Sequence, residues 1–458
     1  MIGADAAGMS AAHTALRTAA GAGREVGVTV LEATRHTSYS ACGIPYWIAG
    51  DVGSGEDLVA RTAGEHRAAG IDLRLGARAV AIDPSRRRVR FVADGTTGEI
   101  GYDELVLATG AAPVVPRWAR TADGGLLDGV HPVKNLDDGA LWNALLSGGG
   151  ETGAPARAVV VGGGYIGLEM AEALIRRGLT ATLVTRGRVM SGLDADLGAQ
   201  IEDALVAGGV DLRTGRTVDR LETAGGRVVG VVTDTGERLA ADVVVVATGV
   251  APATGLGAAA GLAVGEAGGY LPDAGGRVAP GIWAAGDCCE VEHRLTGRRV
   301  FLPLGTHANK LGRVVGANLI GVGGERRFGG ALATAITRFV AGGVHLEIAR
   351  TGLSSEDAAH AGYDVAALVT TGTTASGYMP EAEPIQTKVV ADGATRRLLG
   401  VQIVGGAGSA KRIDAAAAAL WGGLDVDDLA GMDLAYAPPF ATVWDALQIA
   451  ARRLADRI

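Results

Sequence analysis

Arg157-Ala-Val-Val-Val-Gly162-Gly-Gly164-Tyr-Ile-Gly167-Leu-Glu-Met-Ala-Glu-Ala-Leu174 is the stretch that decides the fold class. A short apolar run from Ala158 to Val161 reads as a buried strand, and Gly162-x-Gly164-x-x-Gly167 follows it directly. The residues from Tyr165 onward carry the apolar period of a helix. In such a unit the first glycine makes the tight turn and the second lets a pyrophosphate approach. The third lets helix pack on strand, and the free N–H groups of the helix start face the phosphates. A second strand from Ala181 to Thr185, about 20 residues on, completes a βαβ dinucleotide unit.

An earlier copy opens the chain. Gly3-Ala4-Asp5-Ala6-Ala7-Gly8 has the same frame about 160 residues upstream, with Asp5 in place of the middle glycine. Val26 to Leu31 reads as its second strand, and Glu32 at its end is placed to accept hydrogen bonds from a ribose diol. The repetition continues downstream. Leu105-Val-Leu-Ala108-Thr109-Gly110 and Val243-Val-Val-Val-Ala-Thr248-Gly249 are strands ending in the same Ala-Thr-Gly turn. The chain therefore carries a diverged internal duplication. Gly281-Ile-Trp-Ala-Ala-Gly286-Asp287 then delivers an acid to a strand end.

Composition agrees with several cores. The 458 residues are 48% apolar and include 73 glycines, some in loops such as Gly148-Gly149-Gly150. The charge of −8 and pI near 5.6 disfavour a nucleic-acid surface. No apolar run approaches membrane-spanning length, and no charged leader precedes an apolar stretch. Met1-Ile2 is short for a first strand, so a start further upstream is expected. Three cysteines, two of them adjacent, fit a reducing cytoplasm better than a disulfide framework. The eight histidines form no ligand-spaced cluster, so no metal is expected.

The order of these motifs over essentially the whole chain resembles the pyridine nucleotide–disulfide oxidoreductases. The resemblance implies an α/β protein of glutathione reductase type, with two Rossmann-like dinucleotide-binding domains and an α+β C-terminal dimerisation domain. The expected division is an FAD-binding domain from 1–118 and 245–328, an NAD(P)-binding domain from 119–244 between them, and an interface domain from 329–458 that makes an obligate homodimer. It further implies that Asp287, with Gly286, meets the ribityl chain of FAD. The helix after Leu302, with Thr306 and Ala308, should face the flavin ring. Tyr165, beside Ile166, would cover the flavin until nicotinamide displaces it, or would simply be a core aromatic. Ala7 and Gly8, with the Ala108-Thr109-Gly110 turn, complete the expected FAD contacts, and Thr248 and Gly249 of the second Ala-Thr-Gly turn are expected cofactor contacts as well.

Thr182-Leu-Val-Thr185-Arg186-Gly-Arg188 bears on the second cofactor. An acid ending this strand would repel a 2′-phosphate, and here it is replaced by Thr185 followed by two arginines. NADPH is expected in preference to NADH, the alternative being a solvated charged loop.

Ser38-Tyr-Ser-Ala41-Cys42-Gly-Ile-Pro-Tyr-Trp47 carries the expected thiol chemistry. Cys42 lies ten residues past Glu32, where the chain enters a short helix whose start could favour a thiolate; an inert buried cysteine is the alternative. Thr37 stands where the second cysteine of a Cys-x-x-x-x-Cys pair would be, so an internal redox disulfide is excluded. The words resemble the single-cysteine branch of the family, with its Ser-x-x-x-Cys-Gly-x-Pro-Tyr signature. That branch holds coenzyme A–disulfide reductases, persulfide and polysulfide reductases, and NAD(P)H oxidases or peroxidases. Tyr436-Ala-Pro-Pro-Phe440 resembles the loop that brings a tyrosine of the second subunit to the cysteine, and Tyr378 is a second candidate; interface packing is the alternative for both. Cys288 and Cys289 read as packing residues near FAD.

The resemblance implies that Cys42 works either through a mixed disulfide with a small-molecule substrate or through a sulfenic acid when oxygen or peroxide is the acceptor. Ser38, Ala41, His13, Arg17 and Arg61 are the expected substrate contacts. Ala41 and the few cations on the first helix make coenzyme A disulfide one of several acceptors. An electron-transfer reductase feeding a ferredoxin-like partner would share both Rossmann units, but would need neither Cys42 nor the Tyr436 loop.

Overall fold

The computed structural model describes residues 1–148 and 155–458; Gly149 and Gly150 of the expected glycine loop lie outside the described residues. The first unit is a mostly parallel sheet. Val28–Glu32 pairs with Ile71–Leu75, and Leu105–Leu107 with Ile282–Ala284. Ile2 alone joins the two pairs, bridging Leu31 on one side and Leu107 on the other. The helix Ala6–Gly21 covers this sheet and packs along the helix Gly305–Asn318.

The inserted unit repeats the plan. Its five parallel strands lie in the order Val210–Thr214, Thr180–Thr185, Arg157–Val161, Val243–Val246 and Val130–Pro132. Each unit also carries a three-stranded antiparallel meander, over 77–101 in one and 218–240 in the other. The glycine turns match in detail. Gly3 and Gly162 have φ of +104° and +120°, and a Cβ on either would collide with the carbonyl oxygen of Ala108 or Ala247. Both collisions fall at the alanine of an Ala-Thr-Gly turn, so the duplication seen in sequence is one packing solution used twice.

The two units are clasped where the chain crosses between them. Ala111–Pro113 pairs antiparallel with Val250–Pro252. Thr109 Oγ1 donates to the Ala253 carbonyl at 2.6 Å, and Thr248 Oγ1 reciprocates to the Val114 carbonyl at 2.5 Å. Val243–Val246 is central in the inserted sheet and Ala119 is buried in that unit's core, and the paired segments that link the two units lie at about 111–114 and 250–253.

The C-terminal unit is a five-stranded antiparallel sheet in the order Ala335–Ala341, Val344–Gly352, Leu398–Gly405, Pro384–Asp392 and Val365–Thr373. The helices Ile413–Gly422 and Ala446–Ala455 pack on it. Lys388 on this sheet reaches Asp194 at 2.9 Å and Asp196 at 2.6 Å, both in the inserted unit. Gln402 and Ser355 also donate to Asp194, at 3.0 and 2.7 Å. No helix among the described residues is long and apolar enough to cross a membrane.

Candidate functional site

Cys42 sits in a single 3-10 turn, Ala41–Gly43, that runs into the six-residue helix Ile44–Ala49. The segment before it is tied to a neighbouring loop, Ser40 N donating to Leu58 O and Ala60 N to Ser38 O, both at 2.8 Å. Cys42 is exposed, whereas Cys288 and Cys289 are buried. The thiol pKa is nonetheless pushed up, first by desolvation and then by the carboxylates of Glu169 and Asp287, with Lys134 pulling the other way.

Lys134 Nζ stands 3.7 Å from Asp287 Oδ2. Burial pushes the Asp287 pKa up, and Lys134 opposes that shift. Gly286 takes φ +91° beside Ala7, and Ala308 is buried against the same helix, while Thr306 is exposed at the start of Gly305–Asn318. Asp5 is pushed up to about 6, by burial first and by Glu32. Glu32 closes its strand and accepts from Ala4 N at 2.9 Å and from Thr34 N at 2.8 Å. The turn Gly3–Gly8, Glu32 and Asp287 thus line one edge of the first sheet, where an FAD-type dinucleotide fits. The Thr109 and Thr248 hydroxyls, expected to face cofactor, are engaged in the clasp between units.

At the second turn, Gly162, Gly164 and Gly167 bring the helix Tyr165–Arg176 against the strand. Tyr165 is half-buried, its hydroxyl enclosed without a hydrogen-bond partner, and Ile166 is half-buried beside it. Glu169, one turn on, is pushed up to about 7 by desolvation, although Thr337 Oγ1 donates to it at 2.8 Å. The two arginines expected to grip a 2′-phosphate part company. Arg186 is exposed at the strand end, but Arg188 turns inward, donating to Leu193 O at 3.3 Å, with its other terminal nitrogen buried and unpartnered. Arg216 meets the end of the same strand through its backbone, its N–H donating to Thr185 O at 3.0 Å, while its Nη1 donates to Gly215 O at 3.0 Å.

The expected substrate contacts are partly gathered. Arg61 Nη1 lies 3.0 Å from His13 Nε2, which lies 2.8 Å from His66 Nδ1; His66 Nε2 lies 2.9 Å from Ser38 Oγ. Arg17 stays apart, bonded to Thr14 at 3.1 Å, and Ala41 is half-buried beside Cys42. Tyr378 and Tyr436 lie exposed on the C-terminal unit, where Ser376 N donates to Pro438 O at 2.9 Å. Phe440, Val443 and Trp444 extend the same apolar exposure. Cys288 and Cys289, with sulfurs 3.8 Å apart, pack in the first unit's core, and burial pushes Cys289 well up.

Lys134, Glu169, His66 and Arg216 escaped the sequence reading. Asn135 and Asp138 form a capping box at the start of Leu136–Leu146 that fixes Lys134, a signal visible in sequence. The other three gain their roles only from packing.

The profile described as "Pyridine nucleotide-disulphide oxidoreductase" matches residues 1–310, and that of the same family's dimerisation domain matches 343–447. An NAD(P)H sulfur oxidoreductase (CoA-dependent) of Pyrococcus abyssi is 39% identical over 460 residues, covering 99% of this chain and 97% of the relative. An NAD-dependent persulfide reductase from A. fulgidus superposes with TM-score 0.92 at 33% identity, over 100% of this chain and 82% of that one. An engineered water-forming NADPH oxidase bound to NADPH superposes at 0.90 and 26% identity, over 100% and 98%. Among that oxidase's substitutions, an aspartate becomes alanine and the alanine after it becomes arginine.

Proposed function

The chain belongs to the pyridine nucleotide–disulphide oxidoreductase family, and from that premise we propose that it is an FAD-dependent NAD(P)H oxidoreductase reducing a small disulfide or persulfide of coenzyme A type through Cys42. The carrying observation is that Cys42 is exposed while the other two sulfurs are buried. Bound FAD would supply the conversion of a hydride from the nicotinamide into an electron pair for sulfur chemistry. Gly3, Gly8, Glu32 and Asp287 would hold it, and Tyr165 would shield its ring.

In the proposed cycle the Cys42 thiolate attacks one sulfur of R–S–S–R, forming a Cys42–S–S–R bond and releasing R–S⁻. An electron pair and a proton then cleave that bond, releasing R–SH and restoring the thiolate. One proton more converts the first leaving group to a thiol, so NAD(P)H, one proton and one disulfide give two thiols. Tyr436 from a second copy of the chain is the proposed proton donor, which makes the homodimer the working unit. Tyr378 is the alternate donor.

NADPH is proposed in preference to NADH because Thr185 and exposed Arg186 end the strand. The engineered NADPH oxidase acquired the same order, a neutral residue and then an arginine. Anaerobic NADPH oxidation with coenzyme A disulfide, by wild type and Cys42→Ser, tests the cycle. Turnover that survives in Cys42→Ser would sink it.

Oxidation of NAD(P)H by oxygen through a Cys42 sulfenic acid is the second reading, favoured by the full-length similarity to that oxidase. Turnover in air alone would select it.

A further inference from the structure

Asp5 and Gly164 occupy the same place in the two dinucleotide turns, and only one of them has a side chain. Both backbones are extended, with φ −117°, ψ −155° at Asp5 and φ −86°, ψ −166° at Gly164, and each directly precedes its helix without a side-chain cap. Their carbonyls accept from Met9 N at 2.9 Å and from Leu168 N at 3.0 Å. The last glycines of the turns match too. A Cβ on Gly8 would lie 2.0 Å from the Gly3 oxygen, and one on Gly167 would lie 1.9 Å from the Gly162 oxygen. Those two glycines answer to the protein's own backbone. Gly164 does not, because a Cβ there would meet no neighbouring atom of the described residues within 4 Å. Its bare backbone leaves room for a ligand, and in such a turn the group that approaches is a pyrophosphate. At the first turn the same room starts from a carboxyl.

Asp5 is half-buried. Burial pushes its carboxyl up to about 6. The backbone N–H groups of Tyr39 and Ala6 hold it down, Glu32 at the end of Val28–Glu32 pushes it up, and the Lys134 ammonium holds it down. Its charge also reaches Cys42. Gly286 and Gly312, which approach Ala7 from the other side of the turn, bring no side-chain charge. Lys134 is shared, since it also faces Asp287 at 3.7 Å. One cation therefore serves two acids before any phosphate arrives. A like charge brought close favours the neutral form of a carboxyl, and a pyrophosphate brings two.

We propose that Asp5 holds FAD as the neutral acid, its O–H donating to a pyrophosphate oxygen, so that FAD binding takes up one proton. The proposal rests on the FAD reading of the Gly3–Gly8 turn and adds a proton to it. Below the titration of Asp5 the acid is ready-made. Above it, the proton comes from solvent as FAD binds and returns to solvent as FAD leaves, so affinity falls as pH rises.

The FAD-loaded protein is diluted into buffers from about pH 5.5 to about pH 8.5, and FAD affinity is read from flavin fluorescence for wild type, Asp5→Asn and Asp5→Gly. Asp287, Glu169 and His307 are present in all three, so whatever slope they contribute is common. The wild-type dissociation constant should climb more steeply than that of either variant, by up to about tenfold per pH unit for one linked proton. Asp5→Asn, whose N–H donates at every pH, should bind FAD more tightly than wild type at the alkaline end. Asp5→Gly makes the first turn like the second and should also lose the extra slope. The infrared difference between FAD-loaded wild type and Asp5→Asn near neutral pH should show the C=O band of a protonated carboxyl. Equal slopes in wild type and Asp5→Asn, weaker alkaline binding by Asp5→Asn, or a carboxylate band in place of the acid band overturns the assignment and leaves the FAD reading intact. Wild type that retains no FAD at any pH overturns both.

Discussion

Lys134 Nζ lies 3.7 Å from Asp287 Oδ2, joining the inserted unit to the second segment of the first unit, and both charges act on Cys42. The same ammonium lowers the pKa values of Cys42, Asp287 and Asp5 against their burial. Lys134→Met should therefore move the pH profile of Cys42 alkylation by iodoacetamide upward and slow the reaction at neutral pH. An unchanged profile would mean that the ammonium does not act on the thiol.

The two arginines at the second turn should separate in their effects. Arg186→Glu should raise the Michaelis constant for NADPH roughly tenfold to a hundredfold, the worth of a charged hydrogen bond, and leave that for NADH nearly unchanged. Arg188 faces Leu193 and Gly198, so Arg188→Glu should lower thermal stability with little change in the NADPH to NADH ratio. Steady-state kinetics with both nucleotides, alongside melting curves, checks this pair.

Glu169 gives stability a pH dependence of known sign. Its folded pKa is raised to about 7 from an ordinary 4.5, so the folded chain holds a proton that the unfolded chain sheds in between. Its contribution is full below the lower value and is lost as pH rises toward the upper one. Glu169→Gln should raise Tm at pH 8, by roughly 2–4 °C for each kcal/mol relieved, and change it little at pH 4.5. A gain that is equal at both pH values would deny the titration.

If Tyr436 serves Cys42 of a second copy, two inactive variants should complement each other. A dimer of Cys42→Ser with Tyr436→Phe keeps one site with both groups intact. Random mixing should restore about a quarter of wild-type disulfide turnover. No recovery would place both groups within one chain, or leave Tyr436 outside the chemistry.

Lys388 lies between Asp194 and Asp196 and is 6% exposed. Lys388→Met leaves an enclosed carboxylate without its cation, and unfolding by denaturant should register a loss of about 3–5 kcal/mol. A smaller loss with a released NAD(P)-binding unit in limited proteolysis would show the contact acting as a tether more than as a source of global stability.

Both glycine turns, the paired Ala-Thr-Gly strands and the Cys42 segment were legible in the chain because each is a local demand. A backbone that must pass within contact of Ala108 or Ala247 can carry only glycine, and glycine at fixed spacing is visible without coordinates. Glu32 and Asp287 were legible for a similar reason, since each ends a strand whose apolar pattern marks it. Lys134, Glu169, His66 and Arg216 are ordinary residues in ordinary helices, loops and strand ends, and their roles come from neighbours 50 or more residues away in several cases. The inward turn of Arg188 belongs with them, because whether an arginine meets a phosphate or a carbonyl depends on the fold of the loop after it. By itself the sequence determined the two dinucleotide frames, their nesting and the one exposed thiol's segment, all set by short-range sterics and hydrophobic period. Tertiary structure alone decided where the units cross, which cation faces Asp287 and which way Arg188 turns. Those are long-range electrostatic and hydrogen-bond choices, made only once distant segments share one low-dielectric space.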